Sequence, residues 1–183
     1  HVAAALGAVV WAGIEWFRIG RPTALGAASG LVAGLVAITP AAGFVSPTAA
    51  LFIGAAAGVA CYTAVAMVKS SLQYDDTLDA FGVHGVCGFL GAVLTGVFAS
   101  KHWNPAGKDG LIHGNAALVT EQLIGLSAAG LFAALVTWVL LKVIDLTIGL
   151  RADLDDELDG LDLSQHGEQA YSFSEGPSGI RRE

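Results

Sequence analysis

One histidine stands in an apolar run that follows a cluster of acids. The run reads Asp75-Asp76-Thr77-Leu78-Asp79-Ala80-Phe81-Gly82-Val83-His84-Gly85-Val86-Cys87-Gly88. Read as a helix over residues 77–99, it is long enough to cross a bilayer at about 1.5 Å of rise per residue. An ionisable side chain at that depth is costly, and an imidazole gains and loses a proton near neutral pH. His84 is therefore the first candidate for a functional residue.

Helical periodicity gives this histidine an expected environment. At about 100° per residue, one face carries the following residues: Thr77, Ala80, Phe81, His84, Cys87, Gly88, Gly91 and Thr95. Another face carries Gly82, Gly85 and Gly96, where a neighbouring helix could approach closely. Asp76 and Asp79 precede the apolar run and are expected to cap and position the helix. The alternative role for His84 is an inter-helical hydrogen-bond anchor.

The composition is that of a membrane protein. Of the 183 residues, 54% are hydrophobic and 14% are charged, and the mean hydropathy is +0.63. Soluble domains contain about 25% charged residues. The net charge of -7 arises mainly in residues 151–183, which hold nine of the 16 acids. This acidic balance argues against nucleic acid as a partner.

Several kinds of site are not indicated by the sequence. Cys61 and Cys87 lie in apolar runs and are expected to be small packing residues rather than a disulfide. The Cys and His residues do not have the spacing of a metal site, and no cofactor is expected. No nucleophile–base pair or phosphate loop points to an enzyme. His102 and His113 fall in a polar loop and are expected to be solvated.

Apolar segments predict transmembrane helices at about residues 2–17, 22–44, 48–69, 76–99 and 117–148. Glycines recur every four residues on the second and third segments: Gly26, Gly30, Gly34, Gly54 and Gly58. This pattern predicts close helix contacts. Pro40 interrupts the second segment, either as a break that lines a cavity or as a simple kink. The fifth segment is long, so it either tilts or extends into water.

Basic residues set the expected orientation. One side of the predicted spans collects Arg18, Arg21, Lys69, Lys142 and Arg151, and the other collects Lys101 and Lys108. This excess places the tail, residues 151–183, in the cytoplasm. The tail is expected to be disordered after about residue 171.

The first segment carries two further expectations. Near its end Glu15 is followed by Arg18, and the two are expected to form a snorkelling ion pair. The sequence starts at His1 and its only methionine is Met67. We therefore expect the C-terminal part of a longer protein.

Four stretches resemble one known family. They are Asp-Asp-x-x-Asp-x-Phe-Gly-Val-His-Gly over 75–85, Gly-Leu-Val-Ala-Gly-Leu-Val-Ala-Ile-Thr-Pro-Ala-Ala-Gly over 30–43, Asp-Leu-Thr-Ile-Gly-Leu-Arg over 145–151, and Gly-Leu-Asp-Leu-Ser-Gln-His-Gly-Glu-Gln-Ala-Tyr over 160–171. The sequence resembles the Amt branch of the Amt/Mep/Rh ammonium transporters over essentially its whole length to Tyr171.

The resemblance implies a fold and an assembly. Family members are all-α integral membrane proteins with eleven spans, an extracellular N-terminus, a cytoplasmic C-terminus and a trimer of separate pores. This sequence resembles spans seven to eleven and the tail, that is, most of the second inverted repeat plus the last helix. A multi-pass protein of the cell membrane is implied, as a homotrimer in the lipid bilayer. A PII-type signalling protein is implied as a partner at the cytoplasmic face.

The resemblance also implies roles for particular residues. His84 corresponds to the second of two pore histidines, the first lying upstream of this sequence. Thr39 aligns with a pore-side threonine. Ala80 and Phe81, which share the predicted helical face of His84, are expected to accompany it in conduction. Asp76 is the expected structural counterpart of an aspartate in the first repeat. The regulatory tail motif comprises Gly160, Asp162, Ser164, His166, Gly167, Glu168 and Tyr171, and Ser164 stands where some members are phosphorylated.

The chemistry expected of such a pore follows from desolvation. Ammonium is costly to transfer into an apolar lumen, whereas ammonia crosses more readily once the proton is removed. A buried neutral imidazole can hydrogen-bond ammonia and relay a proton. The predicted function is ammonium transport. The alternatives are an ammonium sensor that signals through its tail and a fragment that only assembles or scaffolds.

Overall fold

The computed structural model describes residues 1–168, and the regular elements of that part are helices. Its α-helices are α1 Val2–Ile19, α2 Ala24–Ile38, α3 Pro47–Tyr62, α4 Lys69–Leu72, α5 Cys87–Phe98, α6 Ala117–Thr147, α7 Leu154–Asp159 and α8 Leu161–Ser164. The first π segment, Thr63–Val68, joins α3 to α4, and the second π segment, Phe81–Val86, leads into α5. Short 3-10 turns occupy Thr39–Ala41 and Leu111–His113.

Five continuous helical stretches are long and apolar enough to cross a membrane. They are Val2–Ile19, Ala24–Ala41, Pro47–Leu72, Phe81–Phe98 and Ala117–Thr147. The all-α membrane fold, expected from the apolar segments and the family resemblance, is confirmed. The largest boundary difference concerns the fourth stretch, which was expected from residue 76 and begins at Phe81.

Helix α1 packs against α2 and α3 through glycines, as the four-residue repeats predict. A Cβ atom on Gly34 of α2, or on Gly54 of α3, would overlap the carbonyl oxygen of Ala3. Gly30 approaches the carbonyl oxygen of Gly7 in the same way. Backbone therefore meets backbone at these positions, and a side chain would force the helices apart.

Helix α2 ends at the break that Pro40 imposes. Proline lacks a backbone N–H and cannot continue the α-helical hydrogen bonding. The Thr39 hydroxyl donates to the Leu35 carbonyl oxygen at 2.7 Å, so that carbonyl keeps a partner near the helix end. Gly43 has φ 82°, in the left-handed region, and the chain turns there before α3. The helical stretch ends at Ala41 rather than at residue 44.

The fully buried core lies between α2, α3 and α5. It contains Ile53 and Cys61 of α3, Cys87 of α5 and alanines of α2. Both cysteines are free and buried, and the Cys87 thiol lies 3.7 Å from the Ala57 carbonyl oxygen. Their predicted role as small packing residues agrees with this placement.

The chain separates into two compact units, His1–Leu131 and the residues from Phe132 onward. In the second unit, α6 ends at Thr147 and the chain turns at Gly149, where φ is 83°. Arg151 then pairs with Glu157 of α7 at 3.3 Å. Both groups of this pair are partly exposed, so the ion pair contributes little to stability.

Candidate functional site

His84 opens onto an apolar groove between α2 and the start of the fourth spanning stretch. The groove has a volume of about 370 Å³. Its lining residues are Leu25, Ala28, Ser29, Val32, Leu78, Ala80, Val83 and His84. Ser29 is the only hydroxyl among them. An imidazole beside apolar walls can exchange a proton with a small neutral base, but the walls solvate a cation poorly.

The second π segment decides which way His84 points. In a π-helix the residue five positions earlier lies beneath a given residue, rather than the residue three or four earlier. Gly82, five residues before Cys87, therefore joins Val83 and Cys87 on the buried face, while His84 is exposed on the groove side. The face predicted at 100° per residue grouped His84 with Cys87, and that grouping is wrong.

The same shift divides the other residues of the predicted face. Cys87, Gly91 and Thr95 are buried together, as expected for the regular helix α5. Thr77 lies in a turn before the helix and does not belong to any helical face. Gly82 meets Val65, Gly91 meets Ala37 and Gly96 meets Val119, so the predicted close approach occurs at Gly82 and Gly96. The regular period therefore holds after Cys87 and fails before it.

Asp76 lies just before the helix and holds its first turn. Its carboxylate accepts hydrogen bonds from the backbone N–H groups of Ala80 and Phe81, both at 2.9 Å. A carboxylate at this position also complements the helix dipole. The Asp75 carboxylate accepts from the Thr77 hydroxyl at 3.4 Å.

Asp79 has a different task from Asp76. Its φ of 55° lies in the left-handed region, which Asp tolerates better than most residues. Its carboxylate pairs with the Lys69 ammonium at 2.6 Å, and Lys69 also donates to the Asp76 carbonyl oxygen. This link between α4 and the loop before His84 was not predicted. The signal for it is Lys69 at the end of the third apolar segment, close in sequence to three acids.

The other predicted conduction residues do not all gather around His84. Ala80 shares its groove. Phe81 faces a separate apolar surface with Gly85, Val86 and Phe89, and its ring packs edge-to-face on Tyr74. Thr39 is exposed at the broken end of α2, with its hydroxyl bonded to the helix itself.

Glu15 does not form the predicted ion pair with Arg18. It is 8% exposed, and its carboxylate accepts hydrogen bonds from Trp11 Nε1 at 2.9 Å and from the Thr23 backbone N–H at 2.7 Å. The Thr23 hydroxyl lies 3.1 Å from both carboxylate oxygens and caps α2 by accepting from the Gly26 N–H. Arg18 instead lies over the Tyr62 ring at 5.9 Å. A buried carboxylate is better satisfied by several donors than by one long, solvated cation.

The tail motif forms a short turn and helix in the second unit. Gly160 has φ 96° and precedes α8, which contains Asp162 and Ser164. The Ser164 hydroxyl donates to the Gly160 carbonyl oxygen at 3.3 Å, and the Glu168 N–H donates to the Asp162 carbonyl oxygen at 2.9 Å. His166 and Gly167 continue the turn after α8. Tyr171, and the expected disorder after it, fall outside the described residues.

A metal site is not formed in the part of the chain that the structure describes, where no three His, Cys, Asp or Glu side chains cluster. His102 and His113 are exposed in the loop between α5 and α6. That loop is held by Gly110, whose N–H donates to the Ala99 carbonyl oxygen at 2.7 Å.

A family profile and curated relatives both match this chain, and both are described as ammonium transporters. Residues 1–171 match the profile described as Ammonium Transporter Family. The chain is 47% identical over 174 residues to the ammonium transporter of Bacillus subtilis, covering 95% of this chain and 43% of that protein. It is 50% identical over 172 residues to the ammonium transporter of Aquifex aeolicus, covering 94% of this chain and 40% of that protein.

Solved structures give the same result. The crystal structure of Saccharomyces cerevisiae Mep2 matches with a TM-score of 0.78 and 42% sequence identity, over 84% of this chain and 36% of that one. The chain thus spans about two fifths of the length of the curated relatives it matches. Its sequence and its helical arrangement lead to one conclusion: the chain belongs to the ammonium transporter family.

Proposed function

We propose that the protein containing this chain carries ammonium across a membrane, and that His84 takes part in the proton transfer. The observation that carries the proposal is the family match over residues 1–171, with relatives named as ammonium transporters. The apolar groove that His84 faces supports the role given to the histidine. These named relatives favour transport over sensing and over a scaffold without transport.

The proposed mechanism follows from the walls of the groove. The groove walls at Leu25, Ala28 and Val32 are apolar, so they offer a cation no charged partner in exchange for its hydration shell. Ammonia carries no charge, so it crosses such walls at lower cost after the proton has left. His84 can accept a hydrogen bond from ammonia and pass a proton through its two ring nitrogens. Ala80 shapes the same groove, and Phe81 and Thr39 act at neighbouring stages of conduction.

The wider assembly is part of the proposal. Residues 1–150 form a transmembrane domain within a homotrimer, and residues 151–183 form a cytoplasmic regulatory tail. A PII-type signalling protein is the proposed partner of the tail, and the motif from Gly160 to Tyr171 is its regulatory element. Arg18, Lys69 and Lys142 lie on the same predicted side of the membrane as the tail, and this excess of basic residues supports a cytoplasmic tail.

The test uses the full-length protein reconstituted in liposomes, with ammonium-driven current as the readout. His84→Ala should lower the current by about a hundredfold, because a proton-transfer group is lost. His113→Ala is the matched control, since His113 is exposed in a loop, and its current should equal that of the unmodified protein.

A second variant separates the relay from the anchor. His84→Gln keeps hydrogen-bonding capacity but cannot gain a proton near neutral pH. A relay predicts that His84→Gln loses current as His84→Ala does. Normal ammonium current in His84→Gln would contradict the relay and support an inter-helical hydrogen-bond anchor.

A further inference from the structure

The two π segments lie against each other at the start of the His84 helix. A π segment is uncommon, and here one occurs on each of two neighbouring spanning stretches, at Thr63–Val68 and Phe81–Val86. Gly82 and Val65 are among the residues that meet there. A Cβ atom on Gly82 would lie 2.7 Å from Val65 Cγ2 and 3.7 Å from the Ala64 Cβ. This distance to Val65 is too short for two carbon atoms, so only glycine fits without movement.

The contact matters because it sets the rotation of the helix before Cys87. With Gly82 packed on Val65, the π turn brings Gly82 to the buried face beside Val83 and leaves His84 on the groove side. In a regular α-helix, at about 100° per residue, His84 would lie about 60° from Cys87 and therefore nearer the buried face, while Val83 would stay beside Cys87. The direction of the imidazole therefore depends on the π turn.

We propose that Gly82 is a positioning residue: because it has no side chain, the second π segment can lie against Val65, and this placement points His84 into its groove. The functional part of this inference rests on the proposed transport. Gly82 does not line the groove, so it acts through the helix rather than through contact with the transported species.

The other contacts of the segment fit this role. Asp76 holds its first N–H groups, and Asp79 ties the preceding loop to Lys69. These two interactions fix where the helix begins. The Gly82 contact lies one turn further on and fixes how the helix is rotated.

The experiment is a rescue cycle in the full-length protein. Gly82→Ala should lower the maximal ammonium-driven current by about tenfold, because a displacement of the reacting group near 1 Å is sufficient for such a loss. Val65→Ala alone should be close to normal. In the double variant the Val65 methyl groups are gone, so the current should return to the level of Val65→Ala.

Gly88→Ala is the matched control in the same helix. Its new Cβ would lie 3.9 Å from Val36 Cγ1, an ordinary contact, so its current should not change and its thermal midpoint should not fall. Both variants replace Gly by Ala, so both gain a similar intrinsic helix propensity. A difference between them therefore reports the contact of the new methyl group. A normal current in Gly82→Ala, or a double variant no better than Gly82→Ala, would overturn the proposal.

A structure of the Gly82→Ala protein separates this inference from the proposed function. It should show the π turn lost or shifted and the His84 imidazole displaced from the groove. Should the unmodified protein carry no ammonium current, the transport proposal fails and this structural result still decides the positioning role. An unmoved imidazole would refute that role.

Discussion

Two helix contacts in this molecule use glycine in opposite ways. Between α1 and its neighbours, Gly34 and Gly54 face a backbone carbonyl of α1, that of Ala3. At the π segments, Gly82 faces the end of a side chain, Val65 Cγ2. A carbonyl cannot move without moving its helix, whereas a valine methyl can rotate or be removed. The first contact therefore holds the helices together, and the second holds one helix in a chosen rotation.

The polar groups near α1 and those before His84 also differ, in how deeply they are buried. Glu15 is buried among fixed donors on α1 and at the start of α2. The Lys69–Asp79 pair retains 28% and 31% side-chain exposure and spans a loop. The carboxylate of Glu15 is thus more deeply buried and has more fixed donors than the ion pair before His84.

The largest effect in this comparison is expected for Glu15→Ala. Removing the carboxylate leaves the Trp11 indole N–H and the Thr23 backbone N–H without their acceptor, at about 1–3 kcal/mol for each buried donor. We expect a lower thermal midpoint for the purified full-length protein. Glu15→Gln retains one acceptor oxygen and should fall between Glu15→Ala and the unmodified protein. Equal midpoints for all three proteins would show that the network adds no stability.

A smaller loss is expected for Gly34→Ala. The new methyl group meets the Ala3 carbonyl oxygen, and overpacking of this kind costs about 1–3 kcal/mol. Gly13→Ala on α1 is the control, because no atom lies within 4 Å of its Cβ position. The thermal midpoint should fall for Gly34→Ala and not for Gly13→Ala. If the two variants unfold alike, α1 is not held by backbone contact as described.

The smallest effect is expected for the Lys69–Asp79 pair. A double-mutant cycle of Lys69→Met and Asp79→Asn should give a coupling free energy of about 0–1 kcal/mol, because both groups are partly solvated. Asn is chosen since it also tolerates the left-handed backbone at position 79. The coupling should weaken at high salt. A coupling as large as the loss in Glu15→Ala would remove the contrast between the two regions.

The predictable part of the fold is the part with regular periods. The glycine repeat at Gly26, Gly30 and Gly34 gave the close face of α2, because an unbroken helix keeps residues four apart on one side. The break at Pro40 was predictable from its missing N–H. The α2 residues that share the groove of His84 could not be predicted from the sequence. Their position depends on how two helices that are far apart in the chain pack together.

Two errors have definite physical causes. The face of His84 was projected with a regular period, and the π segment adds one residue to the turn without any mark in the local sequence. Glu15 was assigned to the nearest cation, Arg18, although its partners are the indole four residues earlier and the cap of the next helix. The spacing of Trp11 and Glu15, with Thr23 ahead of an apolar helix, was the available signal.

The Glu15 network also bears on how α1 and α2 enter the bilayer. Before α2 is in place, the Glu15 carboxylate has Trp11 as a partner but lacks the N–H and hydroxyl of Thr23, which precede α2. Only a short turn around Gly20 separates the two helices, so α2 is the next segment to be synthesised. An unsatisfied carboxylate in hydrocarbon is costly, which favours insertion of α1 and α2 together as a helical hairpin. The carboxylate of α1 and the cap of α2 thus link the insertion of one helix to that of the next.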